Sequence, residues 1–289
     1  MRHYRKNLSG KAMFKSFVPT PLSEIQVTHT EKLDKLIQEV ESVMRHLNDY
    51  SSQLSVEQTK RLMRQEAENS CKLALGKQPL SFGFITDADN SLEEDTVNLL
   101  KATTYAIDAM AELPLSARLL KNAHYLMCNS RRYEKKYPGE FRASPIWIGK
   151  KGSNLNDALF VPPVYEDMTS AFCDLEKYIN YEETENVYIR TALIHYQFEM
   201  IHPFIDANGR VGRLLNTLFL SEQHVLEKPI LQLSHVLHMY GPRYYMELQR
   251  LNETGNYEQW EFFFLNCLKK AALNHLEGTF ASGDFAILC

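Results

Sequence analysis

The stretch that decides the fold is HPFIDANGRVGR, residues 202–213. It follows a helical segment, 188–201, that Pro203 cannot continue smoothly, because proline lacks an N–H group and clashes with the preceding turn. The place of His202 directly before a proline favours an extended backbone there. After Gly209 the apolar residues return at helical spacing. The stretch therefore predicts a helix, a short polar loop and a second helix whose first N–H groups are available to an anion.

Two residues of this loop have the chemistry of a base and of a metal ligand. His202 titrates near neutral pH without a large pKa shift, which suits a general base. A lone histidine is more often structural, but this one adjoins the predicted anion site. Asp206 suits Mg²⁺ when phosphates supply the other oxygen ligands. The alternative for Asp206 is the N-cap of the following helix.

Four further residues of the loop indicate a phosphate site. Asn208 and Gly209 let a phosphate approach the main chain closely, or else form an ordinary turn. Arg210 and Arg213 lie on one side of the second helix. Cations oppose the dipole at a helix N-terminus, so two of them there favour a polyphosphate ligand. Together with the base and the metal ligand, this set indicates nucleotidyl or phosphoryl transfer without a P-loop motif.

Composition restricts the class of protein. A chain of 289 residues is long enough for one large or two ordinary domains. Its formal net charge of −4 gives no attraction to nucleic acid or to anionic membranes, so neither is expected as a partner. Five scattered cysteines without a signal peptide predict reduced thiols in the cytoplasm. No window has the apolar length of a membrane span.

Helical periodicity dominates the chain and predicts an all-α bundle that carries one β-hairpin. Residues 1–30 are predicted to be an irregular lead-in, 31–112 a helical region packed on the core, 113–278 the core, and 279–289 a tail. Two short β-favouring runs, rich in branched and aromatic residues, predict a hairpin flap at about 145–161.

Local signals predict several helix ends. The first apolar stripe, 33–47, is expected to break at 48–52. Ser55 and Gln58 have the spacing of a capping box. Pro114 suits the first turn of a further helix that extends to about residue 133.

A metal-bundle interpretation competes with phosphate chemistry. Glu199 and His202 have the Glu-x-x-His spacing of di-iron helical bundles. Those sites need a second such pair, and no other histidine here has a glutamate three residues before it. His195 with Glu199 and His202 suggests zinc, but Pro203 and the arginine-rich loop fit zinc poorly.

The loop also resembles the motif of the Fic family, H-x-F-x-[D/E]-[G/A]-N-[G/K]-R-x-x-R. The resemblance implies a Fic-type helical bundle and covers roughly residues 55–270, including a flap with Gly-Glu-Phe-Arg at 139–142. Every position that the motif defines is matched, by His202, Phe204, Asp206, Ala207, Asn208, Gly209, Arg210 and Arg213.

The resemblance implies transfer of AMP from ATP to a Ser, Thr or Tyr hydroxyl of a target protein. In family terms His202 takes the hydroxyl proton, the oxygen attacks the α-phosphate, and pyrophosphate leaves. Asp206 holds Mg²⁺, or Mn²⁺, between the α- and β-phosphates. The phosphates themselves are held by Asn208, Gly209 and Arg210, and the γ-phosphate by Arg213.

Two further regions take functions from the same resemblance. The flap aligns the target as an added strand, the alternative being a simple surface hairpin. The target-docking residues of the flap are Ile146, Trp147, Ile148, Phe160 and Val161. The adenine-side pocket contains Tyr245 and Asn252.

Within the family, position 209 separates branches. Doc-like kinases carry Lys there, so Gly209 favours nucleotidyl transfer, although Ala207 is shared with Doc-like members. A same-fold kinase, a transferase of another nucleotide or of phosphocholine, and a catalytically inactive interaction module stay open as alternatives. Self-modification and a homodimer stay open as well.

A segment before the core resembles the family's inhibitory helix, [S/T]-x-x-x-E-[G/N]. Ser70 takes the first position of that motif, and Ala74 stands where the inhibitory glutamate is expected. The missing carboxylate predicts weak or absent self-inhibition, unless another acid substitutes. A separate alternative is that Ala74 merely packs in a helix. The candidate substitutes are Glu66, Glu68 and Asp87.

Overall fold

The computed structural model describes residues 3–75, 92–150 and 152–277. The predicted all-α fold is confirmed over these ranges, with a two-stranded antiparallel hairpin added. The strands are β1 (His3–Asn7) and β2 (Phe14–Val18). The helices are α1 (Glu31–Ser52), α2 (Val56–Leu75), α3 (Leu92–Ala109), α4 (Ala117–Met127), α5 (Tyr165–Tyr181), α6 (Val187–Ile201), α7 (Asn208–Glu222), α8 (Leu233–Met239), α9 (Gly241–Thr254) and α10 (Tyr257–Leu276), with 3-10 turns at Gly10–Ala12, Leu22–Glu24 and Arg131–Lys136.

Helix α6 lies at the centre of the fold. Every residue from Tyr188 to Ile201 is buried, including polar side chains such as His195 and Glu199. It packs against α5, α7 and α10, and the indole N–H of Trp260 donates a hydrogen bond to Ala192 O at 2.8 Å. This burial fixes the position of the loop that leaves the end of α6.

The N-terminal helices cover the other side of α7. Helix α2 contacts α3, α7 and α8, while α1 runs along α10. The boundaries predicted between the helical region, the core and the tail remain predictions, and residues 279–289 lie outside the described ranges. Among the described helices, none is both long and apolar enough to cross a bilayer.

Tertiary contacts move two of the predicted helix ends. The capping box is confirmed, because Ser55 N donates to Gln58 Oε1 at 2.8 Å and Gln58 N to Ser55 Oγ at 3.2 Å. The break predicted at 48–52 is wrong, since α1 continues to Ser52 with its buried stripe. Pro114 precedes the next helix instead of lying in its first turn. That helix begins at Ala117, whose N–H is capped by a carboxylate from α5, and it ends at Met127.

The prediction of an irregular segment at 1–30 is wrong in its first part. Residues 3–18 form the β1–β2 hairpin, in which Tyr4 lies opposite Phe17. Phe17 N donates to Val161 O at 2.9 Å, and the Phe17 ring lies 5.6 Å from the ring of Phe160. The hairpin therefore gains its partner from the flap, which lies far along the chain and which no local pattern reveals.

The flap predicted at about 145–161 is less regular than expected. Its two segments are joined by an isolated antiparallel bridge, with Ile148 N–Phe160 O at 2.8 Å and Phe160 N–Ile148 O at 3.0 Å. The indole of Trp147 donates to Ser153 O at 2.9 Å, so a side chain closes the turn where a longer ladder was expected. Because successive residues of a strand point their main-chain groups to opposite edges, those of Trp147 and Gly149 lie on the edge away from Phe160.

Candidate active site

His202 ends α6 in a left-handed conformation, with φ 49° and ψ 61°. The extended backbone predicted for it is therefore wrong. A left-handed residue is a common end for a helix, and the His202 N–H still donates to Phe198 O at 3.0 Å. The chain reverses there and enters the loop at Pro203.

The imidazole of His202 is held in the form that a base requires. Its Nδ1 lies 3.1 Å from Glu199 O. A carbonyl oxygen only accepts, so Nδ1 carries the proton and Nε2 keeps its lone pair. Burial, with a contribution from Arg142, lowers the pKa of His202 to about 4, against the effect of the Glu199 carbonyl. The ring is therefore neutral at pH 7.

The guanidinium of Arg142 ties the end of α6 to the base of the flap. It is only 1% exposed. Its Nε donates to His202 O at 2.7 Å, and its Nη2 donates to Pro163 O at 2.7 Å and Ile201 O at 3.2 Å. Its main-chain N–H donates to Pro203 O at 2.9 Å. Burial among neutral acceptors lowers the pKa of Arg142 to about 10, so it stays charged at pH 7.

Two more side chains hold the loop in shape. The Asn208 amide accepts from Phe204 N at 2.8 Å and donates to Phe204 O at 2.9 Å. Any phosphate contact of Asn208 thus falls to its main chain. His124 accepts from Gly139 N at 2.8 Å through Nδ1 and lies 3.2 Å from Asp206 O through Nε2, while its ring stacks on Phe204 at 3.9 Å.

The carboxylate of Asp206 is bonded through both of its oxygens. Its Oδ1 accepts from Ala207 N, and its Oδ2 pairs with the ammonium of Lys136. Burial acts to raise its pKa, but Arg210 and Lys136 outweigh burial and hold the pKa below its ordinary value. The N-cap alternative for Asp206 is wrong, because Ala207 takes that place in α7.

This carboxylate fits a divalent cation. The carboxylate is ionised, and its Oδ2 already pairs with the ammonium of Lys136. Within the described ranges no cluster of three His, Cys, Asp or Glu side chains gathers as a metal site. A metal on Asp206 would therefore complete its shell with water and with phosphate oxygens of a substrate, as Mg²⁺ commonly does.

Arg210 lies in a buried cluster that the sequence does not reveal. Its Nη1 lies 3.1 Å from Asp95 Oδ2, and its Nη2 donates to the Tyr133 hydroxyl at 2.6 Å. Arg132 pairs with the same Asp95 oxygen. Two guanidinium groups thus share one carboxylate, which leaves a positive excess behind the loop. The conflict between Arg210 and the helix dipole is relieved in part by Asp95.

Arg213 is covered by α2. Its Nε donates to Ser70 Oγ and its Nη2 to Ser70 O, both at 2.8 Å, and the side chain is buried. A Cβ at Gly209 would come within 3.0 Å of Arg213 Nη1. The glycine thus lets the guanidinium lie directly over the first turn of α7.

The acids suggested as substitutes for the missing glutamate have other partners. Ala74 is exposed on α2, one turn beyond Ser70. Glu68 pairs with Lys72 at 2.6 Å on the surface. The carboxylate of Glu66 accepts from Ser234 N at 2.9 Å and 3.1 Å. The remaining candidate, Asp87, lies outside the described residues.

The proposed adenine-side residues share one face of α9. Tyr245 and Asn252 are seven residues apart, which is two helical turns, and both are half-buried. Tyr244 belongs to the core, where its hydroxyl lies 2.8 Å from His195 Nε2. Burial raises the pKa of Tyr245 to about 12. The role of Tyr245 and Asn252 in binding adenine remains a prediction.

Sequence reasoning missed four residues that shape this site. Two of them lie in the basic and aromatic run at 131–137, which is their local signal, and the other two have no local signal because their partners are distant in sequence. They are Asp95, His124, Tyr133 and Lys136.

A buried helical pair joined by a histidine loop, with a flap beside it, defines a Fic-type domain. The Fic/DOC family model matches residues 114–220, so this part of the chain is a Fic/DOC family domain. A Fic family protein from Desulfovibrio desulfuricans has a TM-score of 0.69 and 18% identity over 89% of this chain and 78% of its own. Fic-1 from C. elegans has a TM-score of 0.60 and 18% identity over 86% of this chain and 73% of its own. These two show the fold.

Curated relatives match a shorter part of the chain. The "Protein adenylyltransferase Fic" of Drosophila ananassae is 30% identical over 135 residues, which are 46% of this chain and 24% of that protein. The protein of the same name from Drosophila melanogaster is 29% identical over the same shares. The match thus spans about a quarter of the length of these relatives.

Proposed function

We propose that this protein transfers AMP from ATP to a Ser, Thr or Tyr hydroxyl of a target protein. The observation that carries the proposal is the state of His202. Its Nδ1 is anchored on Glu199 O, which leaves Nε2 as a neutral base at the start of an anion-binding loop. The family membership and the adenylyltransferase names of the relatives support the same reaction.

In the proposed reaction His202 Nε2 accepts the proton of the target hydroxyl. The oxygen forms a bond to the α-phosphorus, the bond to the bridging oxygen of the β-phosphate breaks, and pyrophosphate leaves. Main-chain N–H groups at Asn208 and Gly209 and the charges of Arg210 and Arg213 stabilise the phosphates. A Mg²⁺ or Mn²⁺ ion on Asp206 would neutralise charge between the α- and β-phosphates.

The flap presents the target in this proposal. An added strand, which is a common mode of peptide recognition, would lie on the edge at Trp147, whose main-chain groups have no backbone hydrogen-bond partner among the described residues. On the other edge, Val161 is bonded to β2. The target strand therefore adds on the Trp147 side.

Within the resemblance, Gly209 favours nucleotidyl transfer over a kinase. A Cβ there would lie 3.0 Å from Arg213 Nη1, a contact that a small shift of the flexible arginine relieves. Transfer of another nucleotide or of phosphocholine leaves an adduct of different mass on the target.

The test is incubation with labelled ATP and Mg²⁺ or Mn²⁺, followed by intact mass before and after. We expect an AMP adduct on a target or on the protein itself. His202→Ala should abolish the adduct, while His46→Ala, at an exposed histidine of α1, should retain it. Labelling by His202→Ala equal to that of wild type contradicts the proposal, and an adduct of another mass selects another transferase.

A further inference from the structure

Lys136 occupies the carboxylate assigned to the metal. It is the last residue of the 3-10 turn Arg131–Lys136, and its ammonium pairs with Asp206 Oδ2. The two side chains are 20% and 27% exposed, so the pair lies at the mouth of the site, within reach of solvent. The motif of residues 202–213 gives Lys136 no function.

Lys136 holds the less restrained oxygen of Asp206. Asp206 Oδ1 accepts from the adjacent Ala207 N, within the loop itself. Oδ2 is bonded to the ammonium of a side chain 70 residues away. A divalent ion placed on Oδ2 would therefore compete with Lys136 for that atom.

Lys136 is the cation of its group best able to move. Three cations surround the ring of Tyr133. The ammonium of Lys136 lies 5.1 Å from the ring centroid, and the guanidinium groups of Arg132 and Arg210 lie 4.6 Å and 5.4 Å from the same centroid. Both arginines are tied to Asp95 and to the Tyr133 hydroxyl. A lysine is a point charge on a flexible stem, whereas a guanidinium is fixed by its planar fork.

We propose that Lys136 is a positioning residue that holds Asp206 until the nucleotide and its divalent cation arrive, and that then contacts the phosphates. The inference rests on the proposed function only in assigning a metal and a polyphosphate to this loop. In the metal-free state the ammonium neutralises Asp206. Once a metal takes Oδ2, the released ammonium lies next to the bound polyphosphate and adds a contact there.

The test measures the coupling between metal and nucleotide, apart from catalysis. An ATP analogue with a non-hydrolysable α–β bridge is titrated into the protein by calorimetry, with a chelator and then with saturating Mn²⁺. The ratio of the two Kd values is the coupling. In Lys136→Met the metal-free Kd should rise, because Asp206 then faces the phosphates without its counter-charge. The Kd with Mn²⁺ should rise less, because the metal neutralises Asp206 and only the added phosphate contact is lost. We expect the ratio to increase roughly tenfold, within the usual range of coupling factors.

Matched variants separate this role from a structural one. Lys135→Met removes the neighbouring exposed lysine and should leave the ratio at the wild-type value. Asp206→Asn should bring the ratio near one with or without Lys136. A variant that merely loosens the fold weakens both Kd values together and leaves the ratio unchanged. Lys136→Gln serves in place of Lys136→Met if the latter fails to fold.

An unchanged or smaller ratio in Lys136→Met overturns the inference, as does failure of the analogue to bind the wild type. The result is independent of the transfer reaction. A larger ratio without any AMP adduct supports Lys136 and contradicts the proposed function. An AMP adduct with an unchanged ratio supports the proposed function and contradicts the role of Lys136.

Discussion

The carbonyl and the hydroxyl of Ser70 both accept hydrogen bonds from the guanidinium of Arg213, at 2.8 Å each. The contact joins α2 to α7 at the arginine assigned to the γ-phosphate. Both acceptors are neutral, and an anionic phosphate forms stronger bonds to a guanidinium than neutral oxygens do. The hydrogen bonds from Arg213 to α2 are therefore to neutral oxygens, while the Glu66 carboxylate of α2 interacts with Arg213 through its field and is bonded to Ser234 N.

Restoring a carboxylate at position 74 should make α2 compete with ATP for Arg213. We expect Ala74→Glu to lower automodification about fivefold, because a partly exposed ion pair is worth up to about 1 kcal/mol. Initial rates of AMP incorporation from labelled ATP measure the effect. Ala74→Gln, equal in size but uncharged, should stay near the wild-type rate. If Ala74→Glu is as active as the wild type, α2 does not regulate Arg213 through this position.

The loss of kcat/KM on the acid side should occur at a lower pH than an ordinary histidine base would give. His202 works as a base when neutral, and burial lowers its pKa from 6.5 to about 4. Its contribution to kcat/KM should stay complete from pH 8 down to about pH 5 and fall as the pH passes through about 4. Circular dichroism at each pH separates this fall from unfolding. An acid limb centred near pH 6.5 contradicts the lowered pKa.

Glu199 should make stability depend on pH. Its side chain is 8% exposed, and its Oε1 finds no hydrogen-bond partner among the described residues. Burial raises its pKa from 4.5 to about 7, so its stabilising contribution is complete below 4.5 and is lost as the pH rises through 7.

Glu199→Gln removes that titration. The free energy of unfolding of the variant, taken relative to wild type, should be about 1–2 kcal/mol higher at pH 8.5 than at pH 5.5. Urea unfolding at both pH values measures this difference. An equal effect of the substitution at the two pH values would show that Glu199 does not titrate in this range.

Arg142 should be needed for both stability and rate. Arg142→Met leaves three main-chain carbonyls of the loop and flap without their side-chain donor, which we expect to cost about 3 kcal/mol. Arg142→Lys should lose less, because one charged donor remains. Thermal unfolding and AMP incorporation measure the two effects. Arg131→Met, at an exposed arginine, is the control and should behave as wild type.

The sequence predicts the features that depend on neighbouring residues. Pro203 ends α6, the apolar spacing after Gly209 forms α7, and Ser55 caps α2, because each acts within a turn or two of the chain. The motif then assigns a function to each residue of the loop. These functions remain predictions, but the structure does bring His202 and Asp206 into one short loop.

Features that depend on distant partners were not predictable in the same way. Lys136 and Asp206 are 70 residues apart, and Ser70 and Arg213 are 143 apart. The β1–β2 hairpin depends on the bond of Phe17 to the flap. The left-handed backbone of His202 arises from ending a buried helix, a requirement that outweighs the local preference for an extended residue before proline.

The bridge between Ile148 and Phe160 leaves the main-chain groups of Trp147 on the opposite edge of that segment. A strand that adds to this edge pairs in steps of two residues, and a slip of one residue turns all of its side chains over. In a target bound as proposed, adjacent hydroxyls would therefore not be equivalent: with one directed to the histidine, its neighbour would be directed away. Backbone parity would then select between neighbouring serines or threonines before any side chain is recognised.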